Sequence, residues 1–332
     1  MQHYLSSRSF NDIPVSHLFV EYKHWITTTK PFPNVATELE ALANSRENYR
    51  KIIGSPLDTP LGAFWRFLEI FDVGTVSPLL MVVVEATPSE SELKAMLCSL
   101  ESYILRRTVC QLPTNAYNRV FLTLASNLKK EGINSATLTR RLSMLSGESS
   151  VWPADADFGS AFTGKAGYYT LSQARIVYIL KSLNDAVHTA RSESVTINSA
   201  LTIEHLLPQA WIEHWPLPDG TMGMTSLERF TESLSSIPSK RSTLSAQRDT
   251  ALQGIGNLTL LTQPLNSAIS NGPWSAKRQE IWNHSLLVLN KSIVAKESWD
   301  EEAIKKRASE LLSLALGVWI GPTPQAASQE TR

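Results

Sequence analysis

Cysteine is nearly missing from this chain of 332 residues, which carries only Cys98 and Cys110. Two thiols cannot build a tetrahedral thiolate site on their own. Both sit in apolar stretches, so buried thiols in a reducing compartment are expected. Long hydrophobic runs are missing too. The longest, Pro78-Leu79-Leu80-Met81-Val82-Val83-Val84, stops at Glu85 and is far too short to span a bilayer. The first residues, Met-Gln-His-Tyr-Leu-Ser-Ser-Arg, lack the apolar core of a signal peptide. A soluble, cytoplasmic protein is expected, with no membrane partner. Net charge is absent as well, with 31 Lys and Arg against 31 Asp and Glu. A global positive field is thereby excluded, and any contact with DNA must use a local patch or a partner. No repeat period points to a solenoid, and no Gly-rich or Pro-rich linker cuts the chain.

What is present suits a globular chain of about two domains, with 42% hydrophobic and 19% charged residues. Apolar residues recur at helical spacing over 15–26 (Leu18, Phe19, Tyr22, Trp25, Ile26), 35–53, 60–74, 89–105 and 117–128. The texture changes near Val151-Trp152-Pro153. A short helix from Asp155 and a longer one over 173–188 lead into a β-like stretch over 194–203. The segment 216–248, rich in Ser, Thr, Gly and Pro, reads as a long excursion, and 276–319 is helical again. The fold class expected is mainly α: a helical bundle, then a small ββα element embedded in further helices. The division expected is a helical domain over 1–150, a second domain with flanking helices over 151–322, and a disordered polar tail over 323–332.

The chemistry concentrates in that second part. Thr202-Ile203-Glu204-His205-Leu206-Leu207-Pro208-Gln209 precedes Gly256-Asn257-Leu258-Thr259-Leu260-Leu261, and Asn266 follows. Histidine has the intrinsic pKa to deprotonate water near neutrality, which makes His205 the candidate general base. To serve it must be neutral, with its other ring nitrogen donating to an orienting acceptor. Glu204 and Asn266 offer a carboxylate and an amide oxygen to a hard cation such as Mg²⁺ or Mn²⁺. Asn257, at the head of a strand signal, can hydrogen-bond across the loop and hold the His205 segment. Lys277 and Arg278 can grip phosphates on either side of a cut. Neighbours on a strand face opposite ways, so Glu204 and His205 share a site only where the strand ends or twists. Each residue alone has an ordinary structural reading; their order and combination favour a phosphodiester-cleaving site. A zinc site from His205, His214 and His284 is a weaker option, since the spacing lacks short paired ligands. Arg106 and Arg107 can contact phosphates or pair with acids such as Glu101 inside the bundle.

Glu-His-x-x-Pro-Gln, then Gly-Asn-Leu-Thr-Leu-Leu, then Asn-Ser and a Lys-Arg helix resemble the HNH (ββα-metal) nuclease domain at the C-terminus of GmrSD-type restriction proteins and SspE-like phage-defence proteins. Ser102-Tyr103-Ile104-Leu105-Arg106-Arg107, Trp152-Pro153-Ala154-Asp155, Trp282 and the stretch 299–319 extend the likeness outward. The resemblance implies a metal-dependent DNA endonuclease or nickase serving defence against phage or foreign DNA. In that scheme His205 matches the base and Glu204 the acidic ligand, where aspartate is usual. Asn257 matches the brace of the ββ turn, and Asn266 stands where many members have a ligand histidine. The family's ParB-like N-terminal domain, with its Asp-Gly-Gln-Gln-Arg type motif, has no counterpart in these residues, so a nucleotide-binding or sensor domain or subunit of that kind is the partner expected. An RNase of toxin type using the same site, and a non-catalytic module binding DNA or protein, are the alternatives.

Overall fold

The structure, a computed structural model, describes residues 1–187, 197, 199–234 and 237–322. The tail expected over 323–332 lies outside the described residues, as do residue 188 of the expected helix and most of 194–198. Among the described residues the fold is mainly α with a single two-stranded sheet, matching the class expected from the sequence. No described helix is long and apolar enough to cross a membrane. The chain groups into two compact units, Met1–Ala154 with 319–322, and Asp155–Val318. The division thus falls at 154/155, and the described residues 319–322 group with the first unit.

The first unit holds α1 (Gln2–Ser9), α2 (Leu18–Thr29), α3 (Val35–Gly54), α4 (Pro60–Phe71), α5 (Ser77–Glu85), α6 (Glu90–Cys110), α7 (Tyr117–Glu131) and α8 (Ser135–Ser143). The apolar run that was too short for a membrane becomes α5, buried from Ser77 through Val83 and packed by α1, α3 and α7. A helix apolar on every side needs such a cover. The stripe expected over 15–26 does not enter the core: no residue of α2 is buried, and Phe19 is 78% exposed. The cysteine expectation is also corrected, since Cys98 is exposed and Cys110 partly so. The inward face of α6 is taken by Met96, Leu97, Leu100, Tyr103 and Ile104, which leaves Cys98 on the outer side.

Arg106 and Arg107 belong to that core and face no phosphate. Both are fully buried. Arg106 donates to the Trp319 carbonyl at 2.6 and 2.8 Å and to Pro153 at 3.1 Å. Arg107 donates to the carbonyls of Val151, Pro113, Ser149 and Glu148. Glu101 accepts from the Trp319 indole at 2.8 Å.

The second unit holds α9 (Asp155–Gly164), α10 (Gly167–Thr170), α11 (Gln173–Ala186), β1 (Leu201–His205), α12 (Ser226–Ser233), α13 (Lys240–Leu252), β2 (Leu258–Thr262), α14 (Gln263–Ile269), α15 (Trp274–His284), α16 (Lys291–Val294) and α17 (Glu301–Val318). The excursion expected over 216–248 therefore holds one helix and most of another. Its Ser and Thr residues cap rather than unravel it: Thr225 and Glu228 close a capping box on α12, and Ser239 caps α13. β1 and β2 pair antiparallel, with Glu204 opposite Thr259 and His205 opposite Leu258. α11 and α14 pack against both strands, and a cluster including Leu206, Leu207, Trp211, Trp274 and Trp299 fills the interior.

Candidate active site

β1 ends at His205, and the chain leaves it under tight control from the head of β2. The Leu206 amide donates to the Asn257 carbonyl at 3.0 Å. The Asn257 side chain then uses its whole capacity. Its Oδ1 accepts from the Leu207 amide at 2.9 Å and the Trp299 indole at 3.1 Å, while its Nδ2 donates to the carbonyls of Leu207 at 2.8 Å and Leu252 at 3.1 Å. The residue is completely buried. Neighbouring backbone is held just as firmly, because Arg307 of α17 donates through Nη1 to the carbonyls of Gly256 and Leu258. Gly256 is required for that approach: a Cβ there would lie 2.1 Å from the Ile304 carbonyl oxygen. Asn257 thus ties the exit of β1 to the head of β2, with no side-chain polar atom left over for a substrate.

Glu204 and His205 precede this brace, each only 9% exposed. The Glu204 carboxylate receives the ammonium of Lys277 from α15, and the same Nζ donates to the His205 carbonyl at 2.9 Å. Burial pushes the Glu204 carboxyl up and the Lys277 ammonium down, and each draws the other back toward its charged form. Lys277 is 1% exposed, so its ammonium is spent within the site rather than extended to solvent. Arg278 donates through Nε to the Val294 carbonyl at 2.7 Å, leaving its other nitrogens as donors.

The His205 ring meets a different set of partners. Tyr168 of α10 stands edge-on to it with centroids 4.4 Å apart. Its Nε2 lies 3.3 Å from Oε1 of Gln253 and 3.4 Å from Nε2 of Gln209. Burial pushes its pKa down to about 4, helped by the charge of Lys277 and opposed by the bond to Gln253. The ring is therefore neutral near pH 7, as a base must be. Asn266, partly buried on α14, donates through Nδ2 to Thr202 Oγ1 at 2.9 Å and the Ile203 carbonyl at 3.1 Å. A carbonyl can only accept, so the amide nitrogen faces β1 and Oδ1 is the atom left for a ligand.

Glu204, His205 and Lys277 thus meet where β1 ends, with Asn257 fixing the exit, while Asn266 bonds further back on the strand, at Thr202 and Ile203, and Arg278 turns toward α16. The zinc option finds no support: among the described residues no three of His, Cys, Asp and Glu gather as a metal site. His214 approaches Glu213, and His284 approaches Glu280. Gln253 and Tyr168 were not foreseen, because they lie outside the motif blocks, while Trp299 and Arg307 stood within the 299–319 stretch of the resemblance without a role. Gln209 stood inside the Pro208-Gln209 motif without a role.

With this geometry in view, residues 152–314 match the family of GmrSD restriction endonucleases, C-terminal domain. Over this stretch the chain is similar to the GmrSD C-terminal domain. No curated protein matches the chain. The GmrSD segment contains β1, β2, α14, α15 and every residue of the site just described.

Proposed function

We propose that this chain is an HNH-type, metal-dependent DNA endonuclease or nickase, acting in the cytoplasm in defence against phage or foreign DNA. The observation that carries the reading is a neutral, buried histidine held at a strand end directly after a buried carboxylate. The GmrSD family match supports phosphodiester cleavage and the role in restriction. His205 accepts the proton of the attacking water. Asn257 keeps the strand exit from moving, so the ring stays where the water must sit. Arg278 retains donors for a flanking phosphate.

The donor set at Glu204 and Asn266 fits a hard cation. One carboxylate and one amide oxygen are few ligands, but Mg²⁺ keeps several waters and takes the rest from phosphate. Bound there, Mg²⁺ or Mn²⁺ would polarise the scissile phosphate and stabilise the leaving oxygen. The carboxylate oxygen held by Lys277 must then be shared or ceded. With zero net charge on the chain, targeting falls to a partner, which we take to be a ParB-like nucleotide-binding domain or subunit.

The test is nicking of supercoiled plasmid in Mg²⁺ by the wild type and by His205→Ala. We expect the variant to lose about 10²- to 10⁴-fold in rate, the usual contribution of a positioned base. Equal rates would remove His205 as the base. Faster cleavage of a matched RNA duplex would reassign the substrate.

A further inference from the structure

We propose that Gln253 holds His205 with its proton on Nε2, and so makes Nδ1 the nitrogen that takes the proton from water. Two side-chain amides converge on Nε2, at 3.3 and 3.4 Å, and neither approaches Nδ1. They are not equivalent. Gln253 is 5% exposed, whereas Gln209 lies at the surface. A surface amide finds water when its partner cannot serve it; a buried one cannot. The Gln253 oxygen therefore needs the Nε2–H, and the ring settles in the tautomer that supplies it. Gln253 is itself fixed at both ends of its backbone, its amide donating to Thr250 and its carbonyl accepting from the Tyr168 amide. That second bond ties Gln253 to the residue whose ring stands edge-on to His205. One residue thus sets both the tautomer and the tilt of the imidazole. Gln253 is a positioning residue, acting on water only through His205.

This inference rests on His205 being the base, but its first readout does not need cleavage. In metal-free protein with ¹⁵N-labelled histidine, the His205 signals are assigned by their loss in His205→Ala. We expect Nε2 in the protonated range and Nδ1 in the unprotonated range at pH 7. Gln253→Met, of similar volume but without the acceptor, should mix the tautomers, and Gln253→Glu, which keeps an acceptor, should restore Nε2–H. In plasmid nicking, Gln253→Met should lower kcat about 10- to 100-fold with KM little changed, the usual cost of losing an orienting partner. A wild-type ring protonated on Nδ1, or an unchanged tautomer in Gln253→Met, would overturn the proposal even in an active nuclease. An inactive wild type with the expected tautomer would instead count against the nuclease reading alone.

Discussion

In the helical unit the Arg107 guanidinium is met by four backbone carbonyls, from Pro113, Glu148, Ser149 and Val151. In the second unit the Lys277 ammonium is met by a carboxylate and a single carbonyl. Both charges are buried, yet the two solutions differ in what they permit. Backbone carbonyls neither titrate nor leave, so Arg107 is locked and its contribution is to the fold. A carboxylate can exchange its partner when another cation arrives, so the Lys277 pair leaves a route to chemistry. Buried charge therefore marks a site only where the compensating group is itself able to change.

Breaking each arrangement in turn should separate them. Lys277→Met strands the Glu204 carboxylate, and we expect a loss of about 3–5 kcal/mol in urea unfolding together with loss of nicking. Adding Glu204→Gln should recover part of that stability and none of the activity. Arg107→Met should cost a similar amount, about 3–5 kcal/mol, because several carbonyls lose their donor at once. Its cleavage rate per folded molecule should match the wild type. If folded Arg107→Met protein is inactive, the division between a locked charge and an exchangeable one does not hold.

Acid should act on the second unit through His205. The folded ring releases its proton near pH 4, against 6.5 for a free imidazole. Between those values the unfolded chain binds a proton that the folded site refuses. The contribution is therefore complete above about pH 6.5, falls as pH drops toward 4, and stays lost below. The full span is on the order of 3 kcal/mol. Unfolding free energies of the wild type and His205→Gln, measured from pH 7 to 4, should converge by about that amount. Parallel curves would mean that the ring is not held neutral.

The motif residues gathered along β1 were legible because each carries its chemistry in its own identity: an imidazole, a carboxylate and two side-chain amides. The strand end at His205 was foreseen only as a condition, since a sequence shows Pro208 but not the Leu206 bond to Asn257. Gln253 was invisible, because a glutamine at the end of α13 has no spacing that ties it to a histidine 48 residues earlier. Lys277 was expected to grip a phosphate beside Arg278, but tertiary packing turns the lysine inward onto Glu204 while Arg278 reaches Val294. In the helical unit the stripe on α2 misled in the opposite sense, since periodicity shows an apolar face but not what covers it.

The smallest effect on stability should come from Asn266, and it bears most directly on the difference between a saturated group and an available one. Asn257 spends four hydrogen bonds on the fold, whereas Asn266 spends only its amide nitrogen, on Thr202 and Ile203. Thr202 keeps a second bond, donating to the Leu261 carbonyl at 3.3 Å, so Asn266→Ala leaves that hydroxyl satisfied. We expect Asn266→Ala to lose about 1 kcal/mol of stability without metal. If the free Oδ1 is a ligand atom, the rise in Tm that Mn²⁺ gives the wild type should shrink sharply in the variant. Asn266→Asp, which keeps an oxygen at that position, should retain it. An Mn²⁺-induced shift that is undiminished in Asn266→Ala would confine Asn266 to bracing β1, leaving Glu204 as the one ligand the strand end supplies.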